Sequence, residues 1–268
     1  MPSKYLSNGV LRELLFHATD DEMLSLTKLL DKNQSVTYSH EKLQEEICLY
    51  GGHSVANFFR RQGTSYLDIL DDIVKKLEIK NLTTYYGAQG EELSLCYVDE
   101  VSLIKLPKEK AIKKGIEYAK EAEEKIILKL LEQTYEKMTP SERLEFDNQV
   151  NEVAKQFGSD PTKKLAGTAG LIVLGNLGGF ATYTLLTTTM SAISMGTLSF
   201  GAYTTATSAL SVALGPVGWA GLGVAAIYAY GKPKYQKLIP VTAIIGTIRQ
   251  RIEFEKANKQ LHRTDYTS

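Results

Sequence analysis

An all-α, mainly helical fold is predicted by three observations on this chain. Apolar residues recur at three- and four-residue spacing through most of residues 1–158, helix-start signatures punctuate that pattern, and residues 165–231 contain no Asp, Glu, Lys, Arg or His. The first two mark amphipathic helices that bury one face; the third marks helical polypeptide held away from water. The expected organisation is a charged multi-helix domain over 1–158, with an insertion at about 81–107, followed by an apolar Gly/Ala/Thr-rich helical hairpin domain over 159–268 that ends in a basic amphipathic helix.

In the first half, Leu11, Leu14 and Leu15, then Leu24, Leu26, Leu29 and Leu30, line one side of two helices. Thr19-Asp20-Asp21-Glu22 sets a hydroxyl three residues ahead of a Glu, so each satisfies a free amide of the other; one helix ends near Ala18 and the next begins at Asp20. A helix from about His40 to Leu49 is stopped by Gly51-Gly52, and shorter ones over Val55 to Arg61 and Tyr66 to Leu77 are separated by Gly63. Thr83 to Tyr86 and Leu93 to Val98 favour extended backbone, with Gly87 and Gly90 placed to turn a small β-hairpin near 83–98. Glu109 to about Lys137 is the longest charged helix, striped by Ile112, Ile116, Ala119, Ala122, Ile126 and Leu130. Thr139-Pro140-Ser141-Glu142 combines a cap hydroxyl, a proline where its missing N–H costs nothing, and a Glu at the third helical position, and it starts a helix to about Phe157. Gly158-Ser159-Asp160-Pro161 closes the half.

The charge-free tract is long enough for two membrane crossings of about 20 residues each. Leu165 to Met190 and about Thr205 to Gly231 are the two spans, joined by Ser191 to Thr204, and lysines on both flanks favour a hairpin with both ends on the cytoplasmic side. Gly170, Leu174, Gly175 and Gly179 are expected at a close helix–helix contact of the small-residue kind used in lipid, with Phe200, Tyr203, Gly215, Pro216, Gly218 and Trp219 completing the membrane or packing set. The glycines and proline of 215–223 break a helix, and broken backbone at membrane depth needs protein or water to cover it. The other reading is the buried centre of a helical protein; an intermediate one is a hidden hairpin released into a membrane. Beyond it, Leu238 to Ile248 is a short apolar run, and Arg249, Arg251, Lys256 and Lys259 form a basic tail suited either to an anionic membrane surface or, with Glu253 and Glu255, to an ordinary solvated helix face.

Lys and Arg balance Asp and Glu at 31 each, so nucleic acid is not an expected partner. Cys48 and Cys96 sit in apolar sequence without metal or redox spacing and read as free thiols of a reducing compartment; with no signal peptide visible, the expected location is cytoplasmic, inner-membrane associated, or both. His17, His40, His53 and His262 show no ligand spacing, so no metal or other cofactor is expected. Gly52, Ser54, Arg60 and Arg61 form an anion-binding candidate, a glycine turn leading to a helix start with two guanidinium groups a turn away; its plain alternative is a helix-breaking Gly pair with a Ser54 cap. Asp71 and Asp72 beside Lys75 and Lys76 are spaced for ion pairs within a helix, and there is no phosphate-loop or nucleophile-elbow motif.

Gly51-Gly52-His53-Ser54-Val55-Ala56-Asn57, Arg60, Gly63, the Tyr66 to Leu70 helix, the Thr139 to Glu142 start, Phe200-Gly201-Ala202-Tyr203 and Gly215 to Trp219 together resemble the YaaW family of bacterial proteins, sometimes grouped by name with ubiquinol–cytochrome c chaperones. The resemblance covers most of the chain, with 81–107 as an insertion relative to shorter members. It implies a mostly helical bacterial protein of unknown activity and supplies no catalytic residue.

The functional expectation is a non-enzymatic protein that inserts or docks the 165–231 hairpin at the bacterial inner membrane, as a permeabilising effector or membrane-stress factor. Membrane lipid is the expected partner, with a protein partner or a homo-oligomer as the other. The alternative is a soluble helical adaptor or assembly chaperone with 165–231 as core or partner surface; an anion- or nucleotide-handling enzyme comes third.

Overall fold

Short-range cap chemistry starts three of the helices in this protein. A computed structural model describes residues 3–31, 36–51, 64–80, 82, 84–86, 92–94, 108–160, 164–177, 179, 181–186 and 233–264. The helices are α1 (Ser3–Phe16), α2 (Asp20–Leu30), α3 (His40–Gly51), α4 (Tyr66–Lys76), α5 (Lys108–Lys137), α6 (Pro140–Gln156), α7 (Gly167–Asn176) and α8 (Pro233–Thr264), and residues 181–186 are helical as well. Thr19 caps α2 and Thr139 caps α6, each with the reciprocal Glu contact: the Thr19 N–H donates to Glu22 at 2.7 Å and the Thr139 N–H to Glu142 at 2.8 Å. Ser65 caps α4 by accepting from the Asp68 N–H at 3.1 Å.

The α6 terminus matches the predicted boundary. Gly158 adopts a positive φ of 87°, its N–H donates to the Lys155 carbonyl, and the Ser159 N–H donates to that of Ala154, so the last free carbonyls are satisfied. The same two-bond turn ends α4, but the left-handed position is held by Glu78 at φ 54°. A Cβ there crowds the following carbonyl, which costs about 1–2 kcal/mol.

The expected hairpin is present as a two-stranded antiparallel ribbon, β1 (Thr84–Tyr86) and β2 (Glu92–Ser94), with Thr84 opposite Ser94 and Tyr86 opposite Glu92. The protein is otherwise helical among the described residues, as the sequence predicts.

α8 lies at the centre. Residues 238–249 are buried on every side, and α8 packs on α1, α2, α3, α4 and α5. The apolar run Leu238 to Ile248 and the basic stretch after it are therefore parts of one helix, which passes through Pro240 without ending. Gly246 permits the approach to α5, since a Cβ there would stand 3.0 Å from Glu123 Cβ. Against the other side of α5 lies α7, which also packs on α6. Its position is fixed at the start, where the Gly167 N–H donates to Asp147 at 2.8 Å and Asn151 bonds both the N–H and the carbonyl of Leu165.

The small residues of α7, with Gly179 beyond it, make close approaches inside the protein. α7 spans 10 residues, about half of a crossing. No helix among the described residues is long and apolar enough to cross a membrane. Leu171, Leu174, Ala181, Leu185 and Leu186 share one core with the charged half. Gly170 sits against Val150, Gly175 against Leu128 and Gly179 against Gln250, so the close approaches are to α6, α5 and α8. Glu78→Gly is expected to raise the unfolding free energy by about 1 kcal/mol, and Gly158→Ala to lower it by about 1–2 kcal/mol, both read from urea midpoints.

Candidate functional site

Glu123 of α5 and Arg249 of α8 meet in the core with 1 % and 4 % exposure. Arg249 donates from Nε to Glu123 Oε2 at 2.6 Å and from an Nη to Oε1 at 2.9 Å, a forked pairing, and the Tyr66 hydroxyl donates to Oε1 at 2.8 Å. Burial pushes the Tyr66 phenol well above its usual range, and the adjacent Glu123 charge adds to this. For Arg249 burial opposes the charge, yet the Glu123 carboxylate outweighs it and the guanidinium is held more firmly protonated than usual. Both oxygens of Glu123 are engaged, so the cluster is an electrostatic clasp and presents no free base or nucleophile.

Three further polar contacts fasten α8 along its length. Tyr235 donates to Asp72 of α4 at 3.1 Å, beneath the Lys76 ammonium. Lys237 reaches the terminal carbonyl of α2 at Leu30 and the Tyr50 hydroxyl, both at 2.5 Å, with its ammonium 4.2 Å from the Tyr50 ring centre. Arg251 bonds Glu22 of α2, Glu255 and the His17 carbonyl. The basic tail is thus partly consumed: Arg249 and Arg251, expected to face solvent or lipid, are neutralised inside the bundle.

A groove of about 330 Å³ lies between α5, α7 and the turn after α4. Leu128, Leu171 and Ile172 give it an apolar wall, and Lys80, Lys125 and Lys129 border it together with Glu78 and Glu132. Lys129 is paired with Glu132 at 2.5 Å and Lys125 with Glu121 at 3.8 Å. Ile172 is 65 % exposed. The rim mixes three ammonium groups with two carboxylates, so it selects no one charge of ligand. Among the described residues no three His, Cys, Asp or Glu side chains converge on a metal position.

Of the residues singled out from sequence, Gly170, Leu174, Gly175 and Gly179 come together on the α5/α6/α8 side of α7 and its continuation. Phe200, Tyr203, Gly215, Pro216, Gly218 and Trp219 lie outside the described residues, as do Gly52, Ser54, Arg60 and Arg61 of the anion-binding candidate. Asp71 pairs with Lys75 at 2.5 Å within α4, as spaced. Of the clasp residues, Arg249 reads in the sequence as part of the basic tail and Tyr66 as a helix start, while Glu123 is not singled out. Their signal is a Glu on the apolar stripe between Ala119 and Ile126, and an Arg continuing the apolar run that ends at Ile248.

Comparison with known proteins finds related sequences without an assigned activity. A protein of Helicobacter pylori strain J99 is 25% identical over 227 residues, covering 82% of this chain and 74% of the relative. The relatives are UPF0174 proteins. A second from the same strain is 24% identical over 247 residues, covering 88% of this chain and 100% of the relative. One from strain 26695 is 26% identical over 238 residues, with 84% and 97% covered. Their names carry the UPF0174 designation and not the YaaW one. No family model and no solved structure matches the chain.

Glu123→Gln is expected to lower the unfolding free energy by about 3–5 kcal/mol, because it strands a buried guanidinium; urea denaturation reads the change. For Tyr235, burial first and Asp72 second push the phenol up to about 12. A folded pKa above the ordinary value of about 10 gives stability that is whole below pH 10 and is lost as pH rises toward 12. Between pH 9 and 11.5 the wild type should therefore lose more stability than Tyr235→Phe.

Proposed function

We propose that this protein is a helical bundle that docks its charge-free tract on a membrane surface, with the bundle holding the tract at both ends. The observation that carries this reading is the anchoring of the two ends in one core. Ala181, Leu185 and Leu186 are buried at one end, Tyr235 and Leu238 at the other, and the residues between, 187–231, contain no charged side chain. An uncharged stretch of that length gains free energy wherever it leaves water. Docking rather than a crossing that starts at Leu165 accords with the burial of Leu171 and Leu174.

A second reading is favoured by the same burial. Leu171, Leu174 and Leu185 lie in the protein's own core, which accords with a soluble helical adaptor or assembly chaperone in which this stretch is core. The YaaW likeness, with its chaperone association by name, belongs to this second reading.

The test is flotation with phosphatidylcholine vesicles. Cutting the chain at Gly158 is unsuitable, because it removes α8 from the middle of the core. The informative variant replaces 187–231 with a Gly/Ser linker of about 20 residues, whose r.m.s. reach is about 25 Å. The wild type is expected to float and the linker variant, still helical by circular dichroism, to stay at the bottom. Equal behaviour of the two proteins sinks the membrane reading, and stable capture of a defined protein complex by the wild type alone would favour the adaptor.

A further inference from the structure

Glu123 and Glu124 are neighbours on α5 with opposite fates. Glu123 turns toward α8 and receives three hydrogen bonds, two of them from a guanidinium. Glu124, half-buried, turns toward the charge-free tract, where among the described residues its Oε1 accepts from the Thr182 hydroxyl at 3.4 Å. Thr182 is fully buried, and Ala181, Leu185 and Leu186 around it are buried as well. Gly175 completes the cover, since a Cβ there would lie 4.0 Å from the same oxygen.

We propose that Glu124 is a protonation-controlled hold on the tract: as the neutral acid it lets the segment 181–186 close on α5, and as the carboxylate it loosens that contact. The reason is the composition of the cover. Burying a carboxylate without a cation or several donors is costly, whereas a neutral acid can both donate to and accept from a hydroxyl. The tract brings no cation.

The charged and titratable groups around Glu124 do not compensate it from across the interface. On its own helix, Lys125 is bonded to Glu121 at 3.8 Å, and Glu121 is a like charge one turn away. From the segment come only Thr182 and the Tyr183 phenol, which senses Glu22, Arg251 and Glu255. α7 carries no titratable side chain. On α8, Gln250 is neutral, Arg249 is committed to Glu123, Arg251 to Glu22 and Glu255, and Glu253 to Lys120 at 2.6 Å. Glu78 and Lys80 lie farther off, across the groove from Lys125. Burial accordingly pushes the Glu124 carboxyl above its usual range, with the Thr182 hydrogen bond and Lys125 offsetting only part of the rise.

The direction of the pH effect follows. A pKa raised in the closed contact gives tightening that is complete below the ordinary glutamate value and is lost as pH rises through the raised one. The inference stands whether lipid or protein engages the rest of the tract, because it concerns the contact between 181–186 and α5.

Hydrogen exchange of the full chain tests it, with amide protection in 181–186 corrected for intrinsic rates at pH 4.5 and 7.5 and α8 amides as the internal reference. The wild type should lose protection in 181–186 on going to pH 7.5, about tenfold for each pK unit separating the closed and open states, while α8 stays constant. Glu124→Gln should keep its protection at both pH values, and Glu124→Leu should do the same without any hydrogen-bonding group. Protection in the wild type that is independent of pH, or a loss of the same size in Glu124→Gln, overturns the proposal. Failure of vesicle flotation leaves this result untouched, so the two outcomes are separable.

Discussion

A guanidinium in the middle of a helical bundle is tolerable only when a carboxylate meets it on matching geometry, and the structure is arranged around that requirement. α8 carries Arg249 through a buried stretch that is otherwise almost wholly apolar. Glu123 answers it with both oxygens, Tyr66 takes the remaining acceptor site, and Gly246 removes the side chain that would keep the two helices apart. The net stability from such a pair is small once desolvation is counted, but the geometry it demands is narrow. It therefore fixes the rotation and height of α8, and the outlying contacts of Tyr235, Lys237 and Arg251 repeat that constraint at either end.

With α8 so placed, the two halves of the chain are not independent in their packing. α1 to α5 close around a helix that comes after the charge-free tract, and α7 fills the opposite side of α5. The described residues on either side of 187–232 thus pack in the same core. Within it Gly170 and Gly175 of α7 meet Val150 and Leu128, and Gly179 beyond the helix meets Gln250.

Much of the local structure was legible in the sequence, because caps act over three or four residues. Thr19, Thr139 and Gly158 each mark a boundary that the structure reproduces, and the hairpin at 84–94 lies within the expected stretch. The end of α4 shows the limit of such signals: the left-handed position is occupied by Glu78, so the usual glycine is missing from the sequence. α8 was read as a short apolar run and a basic tail because a helix buried all round has no polar face, and hence no period to detect. Arg249 and Arg251 were illegible as core and clasp residues for another reason. Their partners Glu123 and Glu22 lie far back in the chain, and nothing in spacing alone pairs them.

The central position of α8 also bears on how the protein is made. At roughly 5–20 residues per second of synthesis, the ribosome needs several seconds to go from the end of α6 to the completion of α8. During that interval the inward faces of α1 to α5 have been produced but lack the rod they enclose. Until α8 is made, the leucine and isoleucine surfaces it will cover stay exposed, the condition under which nascent chains aggregate.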